Sequence, residues 1–123
     1  MKPTISTSKK GSITIENTSI DYDFYINTSG RIIKRNRKFI SMEDSSIQFI
    51  SLLEAGELFD PNVNEMIIGC DDSYKLTLSN EAYDFFEEKR CKIKLLPLDE
   101  AILYWNRYEG RAIALFHLPK RLN

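Results

Sequence analysis

Residues 92–118 read KIKLLPLDEAILYWNRYEGRAIALFHL, and their pattern is strand, helix, strand. Lys92–Leu96 is strand-like and stops at Pro97, which lacks the N–H a continuing ladder needs. Asp99 opens a helix with Ala101, Ile102, Trp105 and Tyr108 on one face, and Gly110 ends it. Arg111–Leu118 is an apolar run that reads as a final strand.

Upstream, the same alternation continues. Met66–Gly69 is a short apolar run ending in glycine, and Lys75–Leu78 adds a short extended piece. Ser79 can cap a helix through Arg90, because its hydroxyl can accept from an N-terminal amide that has no helical partner. Ala82, Phe85, Phe86 and Lys89 follow helical spacing. The stripe Phe85, Phe86, Trp105 and Tyr108 is therefore read as helix-to-sheet packing. Strand and helix in alternation with short links imply right-handed crossovers and parallel pairing.

The first third has a different period. Ile13 and Ile15 alternate with polar residues, and Ile20, Tyr22, Phe24 and Ile26 alternate with Asp21, Asp23 and Tyr25. Period two means half-buried strands. The runs Asn17-Thr18-Ser19 and Asn27-Thr28-Ser29-Gly30 are turn chemistry, and Arg31–Lys34 and Lys38–Met42 can return as strands. Between the halves, Ile47, Phe49, Ile50, Leu52 and Leu53 fit either a buried strand or one helix face. Glu54–Phe59 can continue as helix, and Asp60-Pro61-Asn62 breaks it. Met1–Ser12 is polar and reads as a loose arm. The expectation is a flexible arm over 1–12 and one layered α/β domain over 13–123. That domain carries N-terminal β-hairpins, then β-α-β-α-β crossovers on a mixed sheet.

A chain of 123 residues with 42% apolar and 28% charged residues has ordinary globular composition. Its net charge of −1 argues against a nucleic-acid partner. No apolar run reaches membrane-spanning length, so no transmembrane segment is expected. Cys70 and Cys91 form no CxxC pair, and the expectation is two free thiols in a reducing cytoplasm. The charge is segregated. Residues 1–38 hold eight bases and three acids, whereas 39–74 hold eight acids and no base. The acidic stretch, including Glu54, Glu57, Asp60 and Glu65, is expected either to face a partner or to be neutralised by Arg31–Lys38.

Three groups could carry chemistry. Gly69-Cys70-Asp71-Asp72-Ser73 follows a strand, where ligands of open α/β sheets bind. Gly69 could let a ligand approach the backbone, Cys70 could be a nucleophile, and Asp71 or Asp72 could hold a metal. No base, Walker lysine or GxGxxG accompanies them, and a solvated acidic loop is the commoner case. His117 is the only histidine and could act as a general base, but one histidine makes neither a triad nor a metal set. Arg31–Lys38 has five bases in eight residues, but its neighbours Ile32, Ile33 and Phe39 look core-facing. No catalytic, cofactor-binding or metal-binding set is assigned. Gly69, Cys70, Asp71, Asp72 and His117 stand as the candidate ligand loop.

The order Ile68-Gly69-Cys70, Leu76–Leu78, helix, Lys92–Leu96, Ala101 through Trp105-Asn106, then Glu109-Gly110-Arg111 and the apolar strand to Leu118 resembles the Mth-938-like family. Tyr22-Asp23-Phe24 and Gly30-Arg31 are similar to its opening hairpin. The resemblance covers roughly residues 20–118. It implies a compact layered α/β fold around a mixed sheet and no established enzymatic activity. The relatives it implies include mitochondrial complex I assembly factor 3 and an adipogenesis-associated protein. The family's glycine-rich loop is here Gly69-Cys70-Asp71, and Asp71 and Asp72 would repel an anion. The implied function is a non-enzymatic interaction or assembly module, with another protein as partner. The alternative is a small-molecule-binding domain or enzyme using Gly69–Ser73.

Overall fold

The computed structural model describes residues 2–9, 12–39, 47–70 and 75–118. A five-stranded sheet forms the centre. Its strands are β4 (Phe24–Ile26), β5 (Ile32–Lys34), β7 (Glu65–Cys70), β9 (Lys92–Pro97) and β10 (Ala112–His117), in the order β5-β4-β10-β7-β9. β10, β7 and β9 run parallel, and β4 is antiparallel to both its neighbours, β10 and β5, so the sheet is mixed as expected. β7 and β10 are buried along nearly their whole length because both faces are covered.

The two faces follow from period two. Ile67, Ala112, Ala114 and Phe116 point to one side. There they meet Leu98, Ala101, Ile102 and Trp105 of α3 (Leu98–Arg107). A small antiparallel sheet adds to that side, with β1 (Ile5–Lys9), β2 (Ser12–Ile15) and β3 (Thr18–Ile20) contributing Ile5, Ile13, Ile15 and Ile20. Met66, Ile68, Ile113 and Leu115 point to the other side. That side is covered from β6 (Ile47–Ile50), α1 (Leu52–Leu58), β8 (Lys75–Leu78) and α2 (Asn80–Glu88) by Ile50, Ala55, Leu76, Leu78, Ala82 and Phe86.

Local chemistry sets the turns and ends. Glu16 and Asn17 have φ of 48° and 69°, the left-handed pair that a two-residue hairpin between β2 and β3 demands. Asn27 Oδ1 accepts from Ser29 N and Arg31 N, and Gly30 takes φ of 82°. Ser51 and Ser79 cap α1 and α2, each accepting an amide at 3.2 Å.

Several expectations need correction. The stretch from Ile47, read as either strand or helix, holds both, since β6 leads directly into α1; residues 43–46 lie outside the described residues. Lys38 and Phe39 lie in a 3-10 turn (Arg37–Phe39) rather than a strand; residues 40–42 fall outside the described residues. β8 leaves the main sheet and pairs in parallel with β6. The segment read as a loose arm instead starts β1. Pro3 is buried and Ile5 is fully buried, and the Asn106 side chain brackets Ile5 by accepting its N–H and donating to its carbonyl. Gly69 also has a different role. A Cβ there would lie 2.7 Å from the Ala101 Cβ and 3.0 Å from the Phe116 ring, so the missing side chain lets α3 close onto β7.

Candidate functional site

The polar centre of the molecule is a buried network that connects four segments. Arg35, just after β5, has its side chain wholly out of solvent. Its Nε and Nη2 donate to Glu54 Oε2 and Oε1 at 2.7 and 2.8 Å, a two-pronged pair. Its Nη1 donates to Asp23 Oδ2 at 3.1 Å, and Nη2 also reaches the Phe39 carbonyl at 3.3 Å. The Tyr25 hydroxyl donates to Glu54 Oε2. Asp23 Oδ1 accepts the Leu118 amide at 2.8 Å, and Oδ2 accepts from His117 Nδ1 at 2.6 Å. A carboxylate only accepts, so Nδ1 carries the proton.

The electrostatics follow from burial and partners. Burial alone would lower the Arg35 pKa, but the bonds it donates to Glu54 and the charges of Glu54 and Asp23 outweigh it and raise it. Burial, then the bond to Glu54, push the Tyr25 phenol above its ordinary 10.0. A phenol raised in the fold contributes stability that is present below pH 10 and lost as pH climbs toward the folded value. Between pH 10 and 12 the unfolding free energy of the wild type should therefore fall more steeply than that of Tyr25→Phe, measured by urea titration at each pH. Equal slopes would show that Tyr25 is not coupled to the fold.

His117 ends β10 in register with Cys70, which ends β7, and Cys70 is in register with Pro97, which ends β9. Two of the sequence candidates thus stand side by side at the carboxyl ends of parallel strands. His117 is 4% exposed, and its Nε2 is buried with no hydrogen-bond partner among the described residues. Cys70 is half-buried, with its thiol directed at the Leu76 carbonyl over 3.9 Å. Cys70 and Cys91 are both free thiols. Gly69 serves the opposite face of the sheet, toward Ala101. Asp71, Asp72 and Ser73 lie outside the described residues. Among the described residues no group of three metal-ligating side chains is gathered.

The acids of the 39–74 stretch divide. Glu54 belongs to Arg35, and Glu65 is buried and accepts from the Tyr104 hydroxyl, so neither can face a partner. Glu57 is half-exposed and pairs with Lys38 at 3.3 Å. Asp60 is partly exposed, its pKa lowered by bonds from the Asn62 amide and the Thr28 hydroxyl. Neutralisation by the basic run therefore accounts for Glu54 and Glu57.

Sequence reasoning missed Asp23, Tyr25, Arg35 and Glu54 as a unit. One signal was present: Ser51-Leu52-Leu53-Glu54 is a capping-box spacing that marks Glu54 as a first-turn acid. It also missed a surface. Phe49, Leu52 and Leu53 are 56%, 48% and 64% exposed within five residues of chain, at the corner where β6 meets α1. At the other end of α1 a cleft of about 320 Å³ is lined by Tyr25, Ile33, Leu58, Phe59 and Asp60 among others. No helix among the described residues is long and apolar enough to cross a membrane.

No known family's sequence profile matches the chain, and no curated protein matches it by sequence. Solved structures do match. PH1505, a conserved hypothetical protein from Pyrococcus horikoshii OT3, superposes with a TM-score of 0.75 at 20% identity, over 94% of this chain and 98% of that one. MT938 superposes with a TM-score of 0.71 at 18% identity, over 97% of this chain and 100% of that one. A Bordetella parapertussis protein gives a TM-score of 0.72 at 11% identity, over 97% of both chains. This chain therefore has the Mth938-like fold, the one its ending at Glu109–Leu118 resembled.

Proposed function

We propose that this chain is an interaction module that docks another protein on the β6–α1 corner. The observation that carries the reading is the exposed trio Phe49, Leu52 and Leu53. Single exposed apolar residues are ordinary, but three large ones on one corner leave a patch that water disfavours and a partner would cover. The reading is supported further by how the buried network is used. Arg35 is matched by Asp23 and Glu54 and holds β4, the segment after β5, α1 and the end of β10 together, which is work for the fold. The partner is a protein that presents an apolar segment. Assembly of a larger complex, a respiratory one included, is the process the family resemblance implies.

The test compares wild type with Phe49→Asp/Leu53→Asp in affinity capture from native lysate, with thermal melts of both. Exposed substitutions usually shift stability by no more than about 0.5 kcal/mol, so the double variant should stay folded. It should lose the partner that wild type retains. A partner set unchanged by the substitutions, or an empty one for wild type, overturns the reading.

A further inference from the structure

A thiol and a buried imidazole meet at the carboxyl ends of the central strands, where open α/β sheets place their ligands. We propose that Cys70 is a nucleophilic thiol for soft carbon electrophiles, with His117 as its base and Asp23 as the residue that positions the base.

The register carries the geometry. Cα partners on adjacent parallel strands lie roughly 4.8 Å apart, and their side chains leave the same face. Cys70 packs with the cluster of Ile68, Ile113 and Leu115, and two-residue alternation along β10 puts His117 on that same face. Asp23 reaches Nδ1 from the β4 side of β10, and β7 flanks the other side. An imidazole carries its two nitrogens on opposite ring edges, so a ring whose Nδ1 is bonded on the β4 side presents Nε2 away from β4, the direction in which β7 and Cys70 lie. That nitrogen is buried and has no partner among the described residues, although buried polar atoms nearly always have one. The thiol's present acceptor, the Leu76 carbonyl at 3.9 Å, is a weak one. Cys70 is half-exposed, so the residue is open to solvent on one side, whereas His117 is buried. Among the described residues, the titratable and charged groups facing His117 are Asp23 in contact, Arg35 and Glu54 behind Asp23, and Cys70 across the strand pair.

The step balances without a further reactant. The Sγ proton passes to His117 Nε2, and the sulfur electron pair forms the S–C bond. A leaving group departs with its bonding pair. On a polarised alkene, the adjacent carbon instead receives the pair and then the proton from Nε2. Asp23, accepting from Nδ1, stabilises the imidazolium in between. Cys91 is an internal contrast, being 4% exposed with its thiol pushed up to about 11 by burial and by Glu65.

The test uses the full chain and iodoacetamide, with peptide mass spectrometry following each cysteine from pH 5 to pH 9. At pH 6, where a free thiol of pKa about 8.5 is scarcely ionised, Cys70 should react about ten-fold or more faster than glutathione, and Cys91 should stay unlabelled. His117→Ala should return Cys70 to the rate and pH profile of glutathione. Asp23→Asn should move the Cys70 profile toward that of glutathione while leaving the alkaline plateau in place. A wild-type Cys70 that follows glutathione at every pH overturns the proposal, as does a fast Cys70 unaffected in folded His117→Ala. Should both variants fail to fold, the wild-type profile alone decides.

Discussion

Arg35→Met is expected to destabilise the protein by about 3–5 kcal/mol, because it leaves two buried carboxylates facing each other without their cation. Asp23 and Glu54 are 7% and 0% exposed, so solvent cannot take over the role of the guanidinium. The network also holds distant pieces of chain, so its failure frees the start of α1 and the end of β10 together. Arg35→Lys restores the charge but not the two-pronged bond to Glu54, and should recover only part of the loss. Denaturant titration measures both variants. A loss below about 1 kcal/mol for Arg35→Met would mean that the pair contributes no more than an exposed one.

Trp105→Ala is expected to cost about 3–5 kcal/mol, the usual range for truncating a fully buried large aromatic side chain. The ring is 1% exposed and packs between α3, the sheet and the small β1-β2-β3 layer. It also anchors the N-terminus. Its Nε1 donates to the Pro3 carbonyl at 2.9 Å, and Lys2 Nζ sits 4.8 Å over the ring while donating to the Trp105 and Tyr108 carbonyls at the end of α3. Burial lowers the Lys2 pKa, partly countered by Glu109. Trp105→Ala should therefore loosen residues 2–6 as well, seen as faster amide exchange at Ile5. A Trp105→Ala protein whose Ile5 amide stays protected would show that the N-terminal strand docks without the ring.

Much of this fold was legible because the periodic signals were strong. Residues 92–118 have a long apolar strand, a clear helical face and stops at Pro97 and Gly110, and each element formed within a residue or two of its reading. The errors occurred where a single residue's fate depends on a partner far away in the chain. Ile5 is the one branched apolar residue of the N-terminal segment, and its burial depends on Trp105 and Asn106. Asp23 alternates with Tyr22 and Phe24 as an exposed residue would, yet it is buried because Arg35 and the end of β10 come to meet it. Arg35 was one of five bases in a run that reads as solvated, and nothing local marks it as the buried one. Gly69 was legible as a place of close approach, but the approaching group is Ala101 of α3 rather than a ligand.

The reading of this chain as an interaction module depends on where a partner touches it. Hydrogen–deuterium exchange of the chain alone and with its captured partner reports that contact directly. Slowed exchange is expected to centre on residues 47–58, where Phe49, Leu52 and Leu53 are exposed, with little change along β9. Protection confined to β9 or to the carboxyl ends of β7 and β10, with residues 47–58 unchanged, would contradict it.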